Sequence, residues 1–197
     1  MISKVSLSVF LKNFYKNETF IVLNKKIFNN IIIMKILICG LPGSGKTWLS
    51  ERLVKHLDNC AWYNADFVRK YANDWDFEIE GRMRQANRMK TFADFEKNNG
   101  RWVVCDFVAP TEKTRITFNA DYLIWIDTIK EGRVVTEKLN QLNEMNNLPF
   151  DAKSLSTSKK FEDTTKMFEE PRNANQHVTS FLTDDEIKIL AEKIKNV

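Results

Sequence analysis

The stretch GLPGSGKT, Gly40 to Thr47, follows directly on the apolar run MKILIC and carries the spacing Gly40-x-x-x-x-Gly45-Lys46-Thr47. This P-loop pattern presents successive backbone N–H groups to a polyphosphate, and Gly43 and Gly45 keep side chains out of the way. The triphosphate would lie along Leu41, Pro42, Gly43, Ser44, Gly45, Lys46, Thr47 and Trp48. In such a loop the lysine reaches the β- and γ-phosphates, the threonine hydroxyl ligates Mg2+, and the following helix aims its positive end at the anion.

Carboxylates come next. Asp66, Asp106 and Asp127 each close an apolar run, CAWYNAD, RWVVCDF and DYLIWID. Phosphoryl transfer needs one carboxylate to hold Mg2+ through water and one to orient or deprotonate the accepting hydroxyl. Asp66 and Asp106 are the expected catalytic acids beside Lys46, with Asp66 sharing Mg2+ with Thr47; Asp127 reads as a structural turn residue. A basic cluster follows: Arg69, Arg82, Arg84 and Arg88. Arginine suits bidentate recognition of phosphate or sulfate oxygens, which points to an anionic acceptor. Arg84 and Arg88, four apart, share a helix face, and Arg84 has an equally good reading as a surface partner of Glu78 and Glu80.

The elements that must position these residues are legible as apolar runs. KILIC before the loop reads as a buried strand, and TWLSERLVKHL after it places Trp48, Leu49, Leu53, Val54 and Leu57 at helical spacing. Arg82 to Lys97 carries Met83, Ala86, Met89, Phe92 and Ala93 on one broad face, stopped by NNG at 98–100. Alternating strands and helices predict a mainly parallel sheet covered on both faces, with ligands bound beyond the carboxyl ends of the strands. The loop and the acids converge there.

Length and composition set the frame. The chain has 197 residues, enough for one α/β domain. Its net charge of +4 comes from 30 basic and 26 acidic residues that are interspersed, so nothing in the charge points to nucleic acid. Cys39, Cys60 and Cys105 are widely spaced with no C-x-x-C pair, which reads as buried reduced thiols in a cytoplasmic protein. With His56 and His177 as the only histidines, a zinc site has few ligands to draw on.

Residues 1–33 are rich in Asn, Lys, Ile and Phe, and the apolar run 27–39 is broken by Asn29, Asn30 and Lys35, short of the ~20 apolar residues of a membrane span. No small-residue cleavage site follows, so neither a secretory signal nor membrane attachment is expected. The expectation is a dispensable extension over 1–33 and a kinase domain over 34–197.

In order and spacing, GLPGSGKT, NADFVR (64–69), FEIEGRMRQANRMKTFAD (77–94), RWVVCDFVAPTEKTR (101–115) and KKFEDTTKMFEEP (159–171) resemble adenylylsulfate kinase, over roughly Lys35 to Thr179. The resemblance implies a three-layer α/β P-loop kinase fold with a mobile lid, here about 131–171. It implies ATP as donor, Mg2+, and adenosine 5′-phosphosulfate as the nucleotide substrate, phosphorylated on its ribose 3′-hydroxyl in sulfate assimilation. Asp66 matches an acid near Mg2+ and the acceptor hydroxyl, and Arg69 and Arg82 match arginines on the substrate's anionic groups. Phe77 and Phe161 match aromatics that sandwich the substrate adenine, Gln85 stands where the family has Asn, and Lys159 falls on a lid lysine. Phe107, Val108 and Ala109 fall on the substrate-lining Phe-Ile-Ser of the family. Many members are dimers, so a homodimer is open.

The segment 131–161 is polar and Asn-rich, with little apolar surface to hold it shut without ligand, as a lid that closes to exclude water requires. Departures fall on the acceptor side. Ala109 replaces a serine that carries phosphate in some members, Ala65-Asp66-Phe67 replaces Gly-Asp-Asn, and Gly81 replaces an acid. These keep other acceptors in view: another small nucleotide, a sugar or a nucleic-acid 5′ end. A nucleotide-binding protein with weak transfer is a further alternative. The guanine-reading Asn-Lys-x-Asp pattern of a GTPase is absent.

Overall fold

Three runs, Lys35–Gly40 (β1), Trp102–Asp106 (β3) and Tyr122–Ile126 (β4), are buried at every position, the signature of central strands in a parallel sheet covered on both faces. In the computed structural model, which describes residues 32–130 and 164–197, they form the middle of a sheet in the order β2-β3-β1-β4-β5, with Cys60–Asn64 as β2 and Gln176–Val178 as β5. All four pairings are parallel. The described residues from Ile33 to Asn196 make one compact unit.

Alternation along the strands divides the core into two layers. Ile36, Ile38, Val104, Ile124 and Ile126 face α1 (Lys46–Leu53) and α5 (Asp184–Lys195), meeting Leu49, Leu53, Ile187 and Ile194. Leu37, Cys39, Val103, Cys105 and Leu123 face the other way, onto Ala86, Met89 and Ala93 of α3 (Ile79–Asn98) and Phe118 of α4 (Glu112–Phe118). This is the three-layer P-loop NTPase/kinase fold. Capping boxes at Thr111 with Thr114 and Thr183 with Glu186 fix the starts of α4 and α5, each satisfying two backbone donors that a helix start leaves open.

Some boundaries differ from expectation. β2 stops at Asn64, not Asp66, because the Asn64 side chain accepts from the N–H groups of Asp66 and Phe67 and so opens the helix α2 (Ala65–Tyr71). Helix α3 begins at Ile79 rather than Arg82, and Phe92, expected on its buried face, is 37% exposed while Met83 is half-buried. The helix after the loop ends at Leu53 and tightens into a 3-10 turn over Val54–His56. Cys39 and Cys105 are buried, Cys60 is half-buried, and all three are free thiols. Among the described residues, no helix is long and apolar enough to cross a membrane. Residues 1–31 of the expected extension and 131–163 of the expected lid, with Lys159 and Phe161, lie outside the described residues.

Candidate active site

Strand β1 delivers the chain into the loop through Gly40, at φ +149, where any Cβ would sit 2.3 Å from the Ile126 carbonyl oxygen. Only glycine lets the loop lie this close to β4. Ser44 N–H donates to Leu41 O at 3.1 Å, and Thr128 Oγ1 donates to Ser44 O at 2.7 Å, tying the loop to the segment after β4. Helix α1 starts from Gly45, in the left-handed region, with no side chain capping it. Its first N–H groups therefore remain directed at the loop's concave side, as an anion site requires. Lys46 is buried, its Nζ donating to Leu41 O at 2.7 Å. Burial lowers its pKa, against the pull of Asp106, Asp66 and Cys39.

Asp106, at the end of β3 and 2% exposed, is the hub of the site. Thr47 Oγ1 donates to its Oδ2 at 2.8 Å, Asn64 Nδ2 to the same oxygen at 2.9 Å, and Trp62 Nε1 to Oδ1 at 2.7 Å. Burial raises its pKa, while Trp62, Thr47, Lys46 and Asn64 pull it down. Asp66 sits in the first turn of α2 with its residue surface open to solvent. The protein packed around it raises its pKa, opposed by Lys46. The oxygen set suits Mg2+: an exposed threonine hydroxyl, backed by a buried carboxylate and flanked by a second acid, can supply one direct ligand and water-bridged contacts. Among the described residues no three His, Cys, Asp or Glu side chains cluster to hold a metal, so the remaining ligands would be phosphate oxygens and water.

Three of the expected acceptor-side residues, Arg69, Phe77 and Arg82, stand together. Arg69 is buried, its Nη1 donating to the carbonyls of Asp74 and Asp76 at 2.9 Å each, and its guanidinium lies 4.6 Å from the Phe77 ring centroid. Arg82 Nε donates to Phe77 O at 2.6 Å and Nη2 to Thr164 Oγ1 at 2.8 Å. Arg84 pairs with Asp74 and Asp76, not with Glu78 and Glu80, because the loop before α3 folds back along the helix. Arg88 joins it on Asp74 and also donates to Gln85 Oε1. Buried Gln85 donates to Ala65 O at 3.1 Å. Gly81 has a steric reason: a Cβ there would lie 2.4 Å from the Asp76 carbonyl oxygen. Phe107 is buried edge-on against Phe118, Val108 O accepts from Gly40 N, and buried Ala109 holds a left-handed φ of +43 with its carbonyl bound by Arg115. Asp127 accepts from Lys130 at 2.8 Å.

Trp62 and Asn64 were not legible as site residues. The apolar run that holds them also holds Asp66, two residues after Asn64.

Residues 36–147, more than half of the 197-residue chain, match the family model described as an AAA domain. Fold and loop define a P-loop kinase-type domain, and the chain belongs to the AAA domain family. A search of the curated proteins found no match. Among solved structures the chain is similar to APE1195, with a TM-score of 0.63 and 22% identity over 85% of this chain and 98% of that one. It is also similar to the Mycobacterium tuberculosis APS kinase CysC, solved with AMPPNP and APS, with a TM-score of 0.57 and 16% identity over 82% of this chain and 95% of that one. A sugar kinase from Janibacter sp. HTCC2649 follows at TM-score 0.50 and 12% identity, over 82% and 94%. These likenesses concern the fold.

Proposed function

We propose that the protein is an ATP-dependent small-molecule kinase that moves the γ-phosphate to the 3′-hydroxyl of adenosine 5′-phosphosulfate, using Mg2+. The observation that carries the kinase reading is the coupling of the loop to an acid: Thr47, next to Lys46 at the start of an uncapped helix, hydrogen-bonds buried Asp106 at 2.8 Å. Mg2+ would be held by the Thr47 hydroxyl and, through water, by Asp66 and Asp106, and would supply positive charge against the phosphates. Lys46 and the loop N–H groups stabilise charge on the transferred group. Asp106 is buried with both oxygens held by protein donors, whereas Asp66 is exposed, so Asp66 is the acid that orients the acceptor hydroxyl and takes its proton. The new O–P bond forms as the bond to ADP breaks.

The acceptor assignment draws support from the sequence resemblance and from Phe77, Arg69 and Arg82 standing together. A second reading, a kinase for a less anionic acceptor such as a sugar, is favoured by the carbonyl contacts of Arg69 and by the pairing of Arg84 and Arg88 with Asp74. ADP release from ATP and Mg2+, measured with adenosine 5′-phosphosulfate, simple sugars and nucleoside monophosphates in turn, separates the two. The primary reading predicts stimulation by the sulfated nucleotide alone. Stimulation by a sugar or a monophosphate instead would refute it.

A further inference from the structure

The carboxylate of Asp106 is gripped on both oxygens. Thr47 and Asn64 share Oδ2, and Oδ1 accepts from the indole N–H of Trp62 at 2.7 Å. Trp62 sits on the edge strand β2, two residues before Asn64 and therefore on the same face of the pleat. Asn64 in turn pairs in register with Asp106 on β3.

Each donor in this cluster has its direction fixed. The Asn64 side-chain oxygen accepts from Asp66 N and Phe67 N at 3.0 and 3.2 Å, so its amide nitrogen must face Thr47 and Asp106. An indole N–H donates only and cannot reverse its role. Without a donor on Oδ1, the Asp106 carboxylate could swing about its last torsion, a broad one for aspartate, and carry its oxygen off the line to the threonine hydroxyl. With Trp62 in place, Oδ2 receives the Thr47 hydroxyl hydrogen, and the exposed threonine oxygen keeps a lone pair directed outward.

We propose that Trp62 is a positioning residue for the metal centre: its indole N–H locks Asp106 so that the Thr47 hydroxyl presents its oxygen to Mg2+. The inference rests on the kinase reading above. Trp62 acts through Asp106, whose Oδ1 its indole N–H holds. Trp62 also lines a groove of about 670 Å3 along the β2 edge, with Tyr63, Phe67 and Phe92.

The test is ADP binding by calorimetry, with and without Mg2+, in the wild type, Trp62→Phe and Asp106→Asn. Phenylalanine keeps an aromatic wall and removes only the donor. The gain in ADP affinity on adding Mg2+ should fall about tenfold in Trp62→Phe, the scale of one hydrogen bond to a charged group. Metal-free ADP affinity should stay within about twofold of wild type, since the loop itself is untouched. Asp106→Asn should lose the Mg2+ gain as well. An unchanged Mg2+ gain in Trp62→Phe, alongside its loss in Asp106→Asn, overturns the inference and leaves the kinase reading intact. A wild type that binds no ADP overturns both. A second measurement needs no Trp62 variant to fold: in the wild type, the Trp62 indole resonance should shift when Mg2+ is added to ADP-saturated protein, and a stationary resonance overturns the inference.

Discussion

Asn64 and Asp106 occupy the last positions of neighbouring parallel strands, paired in register, and the Asn64 amide donates to the Asp106 carboxylate at 2.9 Å. Two chain segments 42 residues apart thereby meet the phosphate loop at one point, through Thr47. The mutational predictions begin at this junction.

Asp106→Asn is nearly the same shape but presents an amide to three donors. At least one of Trp62, Thr47 and Asn64 then loses its acceptor, at a cost of about 1 kcal/mol for a half-buried donor left unpaired. Folding stability should drop by that amount in urea titration, and turnover should fall by about 10² with a weakened response to Mg2+. Wild-type Mg2+ dependence in the variant would remove Asp106 from the centre.

Lys46→Ala removes the cation at the loop while keeping α1 intact. Transition-state stabilisation should fall by about 3 kcal/mol or more, roughly a 100-fold or greater loss in kcat/KM. Near wild-type turnover would refute the role given to Lys46.

Gly81→Ala tests the loop that Arg69 and Arg82 hold. Alanine favours the helix by up to about 1 kcal/mol, yet its Cβ would overlap the Asp76 carbonyl at 2.4 Å. The overlap should win, lowering stability by about 1–3 kcal/mol as overpacking does, and it should raise the KM for the acceptor by displacing Phe77. A gain in melting temperature would show that the loop yields freely.

Asp74 accepts from Arg84 and Arg88, and these bonds hold its carboxyl well below the usual carboxylate range. Because the folded pKa lies below the unfolded value near 4, the unfolded state binds more protons as pH falls. This stabilisation is complete above about pH 5 and declines as pH drops through 4 and below. Melting temperatures measured from pH 7 to pH 3 should therefore fall less steeply in Asp74→Asn than in the wild type. Equal slopes would show that the Arg84 and Arg88 contacts contribute nothing to acid sensitivity.

The parts of this fold legible in the sequence are those written locally. GLPGSGKT, the apolar strands and the 3.6-residue period of α3 each state their structure within a few residues of themselves. The parts that were not legible depend on distant partners. Trp62 and Asn64 become site residues only because β2 pairs with β3 in one register, and no local pattern states that register. Arg84 pointed to Glu78 and Glu80 through helix spacing, but its partners, Asp74 and Asp76, lie before the helix on a loop that folds back beside it. The sequence puts the end of β2 two residues late because Asp66 closes the apolar run, whereas Asn64 caps the next helix.

The proposed reaction is transfer of the γ-phosphate to a ribose 3′-hydroxyl. ATP labelled in the γ-phosphate, incubated with the protein, Mg2+ and adenosine 5′-phosphosulfate, tests it most directly. The account predicts label in a product of one added phosphate that a 3′-nucleotidase releases. ATP binding with no label in that product, or label that a 3′-nucleotidase leaves in place, would contradict it.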